Sequence, residues 1–209
     1  DKKTYLDLLK INGGRNRISF FAKQNNAGIN EDFVIQIHKK KQEHYLNLVN
    51  NGAVLLKTGV NRLIKELSLK NVRQFIVTSS SRNQVELLVS RLFDDNNIFE
   101  FFITSDDVES LKPDPMPFLK AIKLSGIKRS NSIVFEDSNP GLMSAFAAKL
   151  PTICVKSNLP TTYNKDIPLN CIVDTIGDTK HSTNIIKGPP LYRDYLDFEY
   201  LNAFINNYK

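Results

Sequence analysis

Five short apolar runs, separated by stretches of helical pattern, set the strongest limit on how this chain can fold. Phe75-Ile76-Val77-Thr78, Phe101-Phe102-Ile103-Thr104, Ser132-Ile133-Val134-Phe135, Thr152-Ile153-Cys154-Val155 and Cys171-Ile172-Val173 are rich in β-branched and aromatic residues and do not alternate with polar ones. A strand that is apolar on both sides needs cover on both faces, which is the environment of a parallel sheet flanked by helices. Helical patterns lie between the runs, over 59–69, 83–93, 115–124 and 141–148. Together they predict an α/β fold, a doubly wound, Rossmann-like parallel sheet. In such sheets ligands bind beyond the carboxyl ends of the strands, so polar groups that follow a run are the first candidates for a site.

The front of the chain has a different texture. Tyr5, Leu8, Leu9 and Ile11, then Phe33, Ile35 and Ile37, then Tyr45, Leu46, Leu48 and Val49 recur mostly at three- and four-residue intervals, so residues 3–49 read as helical. The polar turn Asn12-Gly13-Gly14-Arg15-Asn16 interrupts them. A boundary is expected near Asn51-Gly52, dividing a small helical domain, 1–52, from the core, 53–209. At the far end, Tyr192, Tyr195, Leu196, Phe198, Leu201, Phe204 and Ile205 suggest a closing helix after the loop marked by Gly188-Pro189-Pro190.

Composition excludes some classes. No apolar run approaches the ~18 residues that span a bilayer, so no membrane partner is expected. The net charge of +6 in 209 residues suits an anionic partner, or scattered solubilising lysines. The strongest basic run, Lys39-Lys40-Lys41, has no interleaved aromatics, so a nucleic-acid partner is not expected. Cys154 and Cys171 both sit inside apolar runs, where a thiol is a small core hydrophobe; this fits a reducing, cytoplasmic setting.

Three polar clusters follow runs or open helices. "VTSSSRN" places Thr78, Ser79, Ser80 and Ser81 at the end of the first run, where hydroxyls and exposed backbone N–H groups can hold a phosphate. Serines that cap a helix would look the same. "SLKPDPMPF" puts Lys112 before a Pro-Asp-Pro turn that can open a helix, offering a fixed positive charge for a phosphoryl group; a solvated loop lysine is the plainer alternative. In "SIVFEDSNPG" the adjacent Glu136 and Asp137 end an apolar run. Two like charges there need a cation, and Mg²⁺ fits because it takes hard oxygen ligands and needs only one or two carboxylates besides water and phosphate. The competing reading makes Asp137 an ordinary helix N-cap with Glu136 facing solvent.

In order, these clusters resemble motifs two, three and four of the haloacid dehalogenase superfamily, in its β-phosphoglucomutase-like branch. By that resemblance Ser79 is the phosphate-holding hydroxyl, with Ser80, Arg82 and Asn83 beside it. Lys112 steadies the phosphoryl group and the nucleophile, and Glu136 and Asp137 belong to a Mg²⁺ site. The front half is similar to the cap of CbbY-type sugar-phosphate phosphatases, whose Gly-Gly-basic-x-Arg-Ile element corresponds to Gly13-Gly14-Arg15-Asn16-Arg17-Ile18. There the glycines let backbone approach a ligand, while Arg15 and Arg17 offer planar forks for a second phosphate; a surface turn with solvated arginines is the alternative. The resemblance implies a phosphatase for a small phosphorylated sugar, xylulose-1,5-bisphosphate, working through an aspartyl-phosphate and acting as a monomer. It leaves open a phosphosugar mutase and a non-catalytic phosphosugar-binding protein.

The superfamily's first motif, Asp-x-Asp-Gly-Thr after an apolar strand, supplies nucleophile and general acid/base and is absent from these residues. Asp94-Asp95 and Asp106-Asp107 lack its spacing. Asp174 follows an apolar run, but its next aspartate, Asp178, is four residues on. Because the chain opens without methionine inside what resembles the cap, the motif is expected upstream of Asp1.

Overall fold

The computed structural model describes residues 1–209 apart from 10, 12, 96, 158–166 and 209. The chain divides into two compact units, Asp1–Val54 and Leu55–Lys209.

The first unit is helical: α1 (Lys2–Leu8), α2 (Gly14–Gln24) and α3 (Glu31–Asn50). Helix α1 starts where the Asp1 carboxylate accepts from the Thr4 N–H at 2.8 Å. Helix α3 starts where Asn30 accepts from the Phe33 N–H at 2.9 Å, with Glu31 and Asp32 favouring the positive end of the helix dipole. The segment expected to be a polar turn is only partly one. Gly13, at φ +82°, is the N-cap of α2, and Gly14, Arg15, Asn16 and Arg17 form the first helical turn; Asn12 lies outside the described residues.

The second unit carries the sheet. Strands β1 (Phe75–Val77) and β2 (Phe101–Ile103) pair in parallel, with Phe75 opposite Phe101. Strands β3 (Val134–Glu136), β4 (Thr152–Val155), β5 (Cys171–Val173) and β6 (Ile185–Lys187) form a second ladder in that order; the first three are parallel and β6 is antiparallel. The expected parallel sheet is therefore present as two ladders. The unexpected β6 is an exposed edge strand with too short an apolar signature to read as a core run. The helices are α4 (Val60–Leu69), α5 (Arg82–Leu92), α6 (Met116–Ser125), α7 (Asn139–Ala147) and α8 (Phe198–Asn207).

Alternation along β4 shows why its run is continuous. Ile153 and Val155 pack with Leu63 and Leu67 of α4 and with Leu201 and Phe204 of α8, whereas Cys154 packs with Leu142 of α7. Helices thus cover both faces, and all four β4 residues are buried. Cys154 and Cys171 are both buried and neither is in a disulfide. Burial raises the Cys171 thiol pKa, and the sulfur lies 3.3 Å from the Tyr200 hydroxyl. Both are core groups, as their sequence setting suggests.

The closing helix is shorter than its apolar pattern. Asp197 caps it by accepting from the Tyr200 N–H at 2.8 Å, so Tyr192, Tyr195 and Leu196 precede the helix. Arg62 of α4 locks that approach, donating to the carbonyls of Gly177 (3.2 Å) and Leu196 and lying over the Tyr195 ring.

Candidate active site

Two of the three expected clusters follow carboxyl-terminal strand ends directly, and the third, in the turn before α6, reaches the same ends through Lys112, each for a local reason. After β1, Ser81 opens α5 in a capping box, its N–H donating to Gln84 Oε1 at 3.4 Å. Capping, the alternative raised for the whole serine cluster, therefore falls to Ser81. Ser80 holds the turn, donating its N–H to Thr78 Oγ1 at 3.1 Å and accepting from the Ser105 N–H at 2.9 Å. Ser79 is exposed between them, and Asn83 is exposed in the first turn of α5.

Arg82 is engaged elsewhere. Its Nη2 donates to both carboxylate oxygens of Asp107 at 2.8 Å, and its backbone N–H donates to Asp106. Asp107 also accepts from the Thr104 hydroxyl at 2.6 Å and the Thr104 N–H at 2.8 Å. The Thr104 hydroxyl, then its N–H and Arg82, hold the Asp107 pKa down at about 2. Arg82 is therefore a brace between α5 and the turn after β2, a role that its sequence neighbours do not reveal.

The Lys-Pro-Asp-Pro turn is fixed by Asp114. Its carboxylate accepts from the Met116 N–H at 2.8 Å, and its carbonyl accepts from the Ser144 hydroxyl of α7 at 2.6 Å. This aims Lys112 inward, over the Phe118 ring. Its Nζ donates to the Val77 carbonyl at 2.8 Å and pairs with Glu136 Oε1, both side chains being only 9% exposed. One ammonium thus ties the carboxyl end of β1 to that of β3, although the two strands belong to different ladders. A freely solvated loop lysine is excluded.

Neither part of the plainer reading of the carboxylate pair holds either. The N-cap of α7 is Ser138, which accepts from the Gly141 N–H at 3.2 Å. Glu136 turns inward: its Oε2 accepts from the Ser138 hydroxyl at 3.2 Å and the Asp137 N–H at 3.3 Å. A Cβ on Gly141 would lie 2.0 Å from that oxygen, so glycine is what lets the carboxylate lie against the first turn of α7. Asp137 projects outward, and Lys57 reaches its Oδ2 at 3.1 Å.

Among the described residues no group of three or more His, Cys, Asp or Glu is placed to hold a metal ion. The donor set still fits Mg²⁺ by its chemistry. Asp137 is a hard-oxygen ligand with half its side chain open to water, and Mg²⁺ commonly takes one or two carboxylates with waters and a phosphate completing its shell. A hollow of about 500 Å³ near Thr183 and Tyr192 shares no residue with these clusters.

A profile of the haloacid dehalogenase-like hydrolases matches residues 11–155, across all three clusters. The chain belongs to this family. Among relatives, it is 31% identical to protein CbbY of Rhodobacter capsulatus over 158 residues, covering 75% of this chain and 70% of that protein. It is 28% identical to a CBBY-like protein of Arabidopsis thaliana, covering 85% of this chain and 58% of that longer protein. Among solved structures, a CbbY variant of Rhodobacter sphaeroides in complex with xylulose-1,5-bisphosphate superposes with a TM-score of 0.74 at 26% identity, over 84% of this chain and 78% of that one. β-Phosphoglucomutase of Clostridium difficile, at 19% identity and a TM-score of 0.73, covers 100% of this chain and 83% of that one and shares the fold. The family assignment makes the chain a hydrolase and agrees with the α/β architecture described above.

Within the helical unit of this hydrolase, the Gly-Gly element has two uses. Arg17 donates from Nε to the Leu8 carbonyl at 3.0 Å and from Nη2 to that of Ile11 at 3.2 Å, joining the end of α1 to α2. Arg15 is exposed. Gly14 makes room for the His38 ring of α3, since a Cβ there would lie 2.6 Å from it, with Lys41 Nζ 3.7 Å away. Burial, then Lys41 and Arg15, lower the His38 pKa, so this corner is electropositive without a charged imidazole. His38 and Lys41 escaped the sequence reading. Their spacing puts both on one face of α3, but only the fold sets that face against Gly14.

Proposed function

We propose that this hydrolase is a Mg²⁺-dependent phosphatase of a small phosphorylated sugar, with xylulose-1,5-bisphosphate as its substrate. The observation that carries the proposal is Lys112, buried, bonded to the end of β1 and paired with Glu136 at the end of β3. A lysine ammonium at converging strand ends, beside hydroxyls and a second carboxylate, is an arrangement for a phosphoryl group. The CbbY relatives and the xylulose-1,5-bisphosphate complex support the same substrate class.

In this proposal the Ser79 hydroxyl receives a phosphoryl oxygen, and Lys112 offsets the phosphoryl charge from the β1 side. Ser80 and Arg82 position the serine turn, and exposed Asn83 lines it. Asp137 holds Mg²⁺, with Glu136 fixed behind it by Lys112 and Ser138. When bound, Mg²⁺ neutralises charge building on the transferring oxygens. Arg15, with Lys41 and His38, is assigned to the second phosphate, Gly14 providing the close approach and Arg17 bracing the turn behind them. The attacking carboxylate belongs to the family's first motif, which these 209 residues do not contain.

Release of inorganic phosphate by the native full-length protein, measured on xylulose-1,5-bisphosphate and on glucose 1-phosphate with and without Mg²⁺, tests this reading. Mg²⁺-dependent release from the bisphosphate is expected. Interconversion of hexose phosphates without net release would make the protein a mutase, and binding without turnover would make it a phosphosugar-binding protein.

A further inference from the structure

The two adjacent carboxylates are each provided with a lysine. Glu136 has Lys112 from the turn before α6, and Asp137 has Lys57, the one charged residue between Asn51 and Asn61. The pairs differ in setting. Lys112 and Glu136 are nearly buried, whereas Lys57 and Asp137 are 42% and 50% exposed. The first is a fixed internal bond. The second is open to water and exchangeable.

The backbone around Lys57 is firmly held. Its carbonyl accepts from the Val60 N–H at 3.1 Å, and the carbonyl of Thr58 accepts from the Thr175 hydroxyl at 3.2 Å. Gly59, at φ +82°, lies so close to Gly177 that a Cβ would fall 2.0 Å from its carbonyl oxygen. Lys57 can therefore leave Asp137 by rotating its own flexible stem, with no loop opening.

We propose that Lys57 is a built-in counter-ion that occupies Asp137 until a metal ion displaces it, and so sets how tightly the site binds Mg²⁺. This rests on the assignment of Asp137 as the metal carboxylate. An ammonium and a divalent cation compete for the same Oδ2 oxygen, and a lysine left nearby repels the incoming ion. Removing the charge therefore tightens metal binding, and restoring it as arginine reverses the gain.

The test is direct titration of the native protein with Mn²⁺, read by electron paramagnetic resonance, in wild type, Lys57→Met, Lys57→Arg and Asp137→Asn. Lys57→Met is expected to bind about fivefold more tightly than wild type, the scale on which a half-exposed ion pair can act. Lys57→Arg should stay close to wild type, and the Lys57→Met advantage should shrink at high salt, where exposed charges are screened. Equal or weaker binding by Lys57→Met, with Asp137→Asn weakened, overturns the role of Lys57 and leaves the metal assignment standing. Wild-type affinity in Asp137→Asn, or no binding by any variant, overturns both.

Discussion

Lys112 and Glu136 meet as an almost fully buried ion pair that spans the two ladders of the sheet, because the same ammonium also caps the carbonyl of Val77. Breaking a buried pair from one side leaves an uncompensated charge, at a cost of about 3 kcal/mol. Lys112→Met is therefore expected to lower unfolding free energy by about that amount and to abolish turnover. Lys112→Met/Glu136→Gln should recover part of the stability but none of the activity. Urea unfolding of the single and double variants measures the coupling; additive losses would show that the pair does not hold the strand ends together.

Gly141 is a second point of sensitivity. Alanine there puts a methyl 2.0 Å from Glu136 Oε2, forcing the carboxylate off the first turn of α7. Gly141→Ala should destabilise the protein by about 2 kcal/mol, in the range of overpacked sites, whereas Gly28→Ala meets nothing within 4 Å and should be close to neutral. Thermal melting of the two variants makes the comparison, and equal melting temperatures would contradict the close packing at Gly141.

Asp107 gives a pH dependence with a defined sign. Its folded pKa of about 2 lies below its ordinary value of 3.8, so its charged form favours the folded state. That contribution is complete above about pH 5 and is lost as pH falls through 4 toward 2. With the carboxylate 22% exposed, it amounts to on the order of 1–2 kcal/mol. Asp107→Asn should be less stable than wild type at pH 6, with the gap narrowing to roughly half at pH 3. A gap that is the same at both pH values would show that charge on Asp107 is irrelevant.

In the helical unit, Gly14→Ala would drive its methyl into the His38 ring. If the Arg15, Lys41 and His38 corner receives the second phosphate, this change should raise KM for a sugar bisphosphate about tenfold while altering kcat and the KM for a monophosphate little. Steady-state kinetics on the two substrates separates that outcome from general damage, which would lower kcat for both.

Local signals made much of the core legible. Strands β4 and β5 fall where their apolar runs lie, because buried parallel strands write their burial into adjacent residues. Lys112 and the Glu136-Asp137 pair could be singled out because charge beside an apolar run needs a partner. The partners themselves were not legible: Lys57 is 80 residues from Asp137, and Arg82 is 25 from Asp107. Edge strand β6 was hidden by its exposure, and the start of α8 by apolar residues that pack in the turn before Asp197 rather than in the helix.

The central claim is that Asp137 and Lys112 serve a metal-assisted phosphoryl transfer. Its most direct test is the Mg²⁺ dependence of phosphate release from xylulose-1,5-bisphosphate by native protein carrying Asp137→Asn, compared with wild type. Asp137 is half exposed and its ion-pair partner among the described residues is a half-exposed lysine, so the variant should melt like wild type. The account predicts that Asp137→Asn loses at least about a hundredfold in Mg²⁺-dependent rate, the scale of a lost electrostatic contributor. A folded Asp137→Asn protein that releases phosphate at the wild-type rate, with the same response to Mg²⁺, would contradict it.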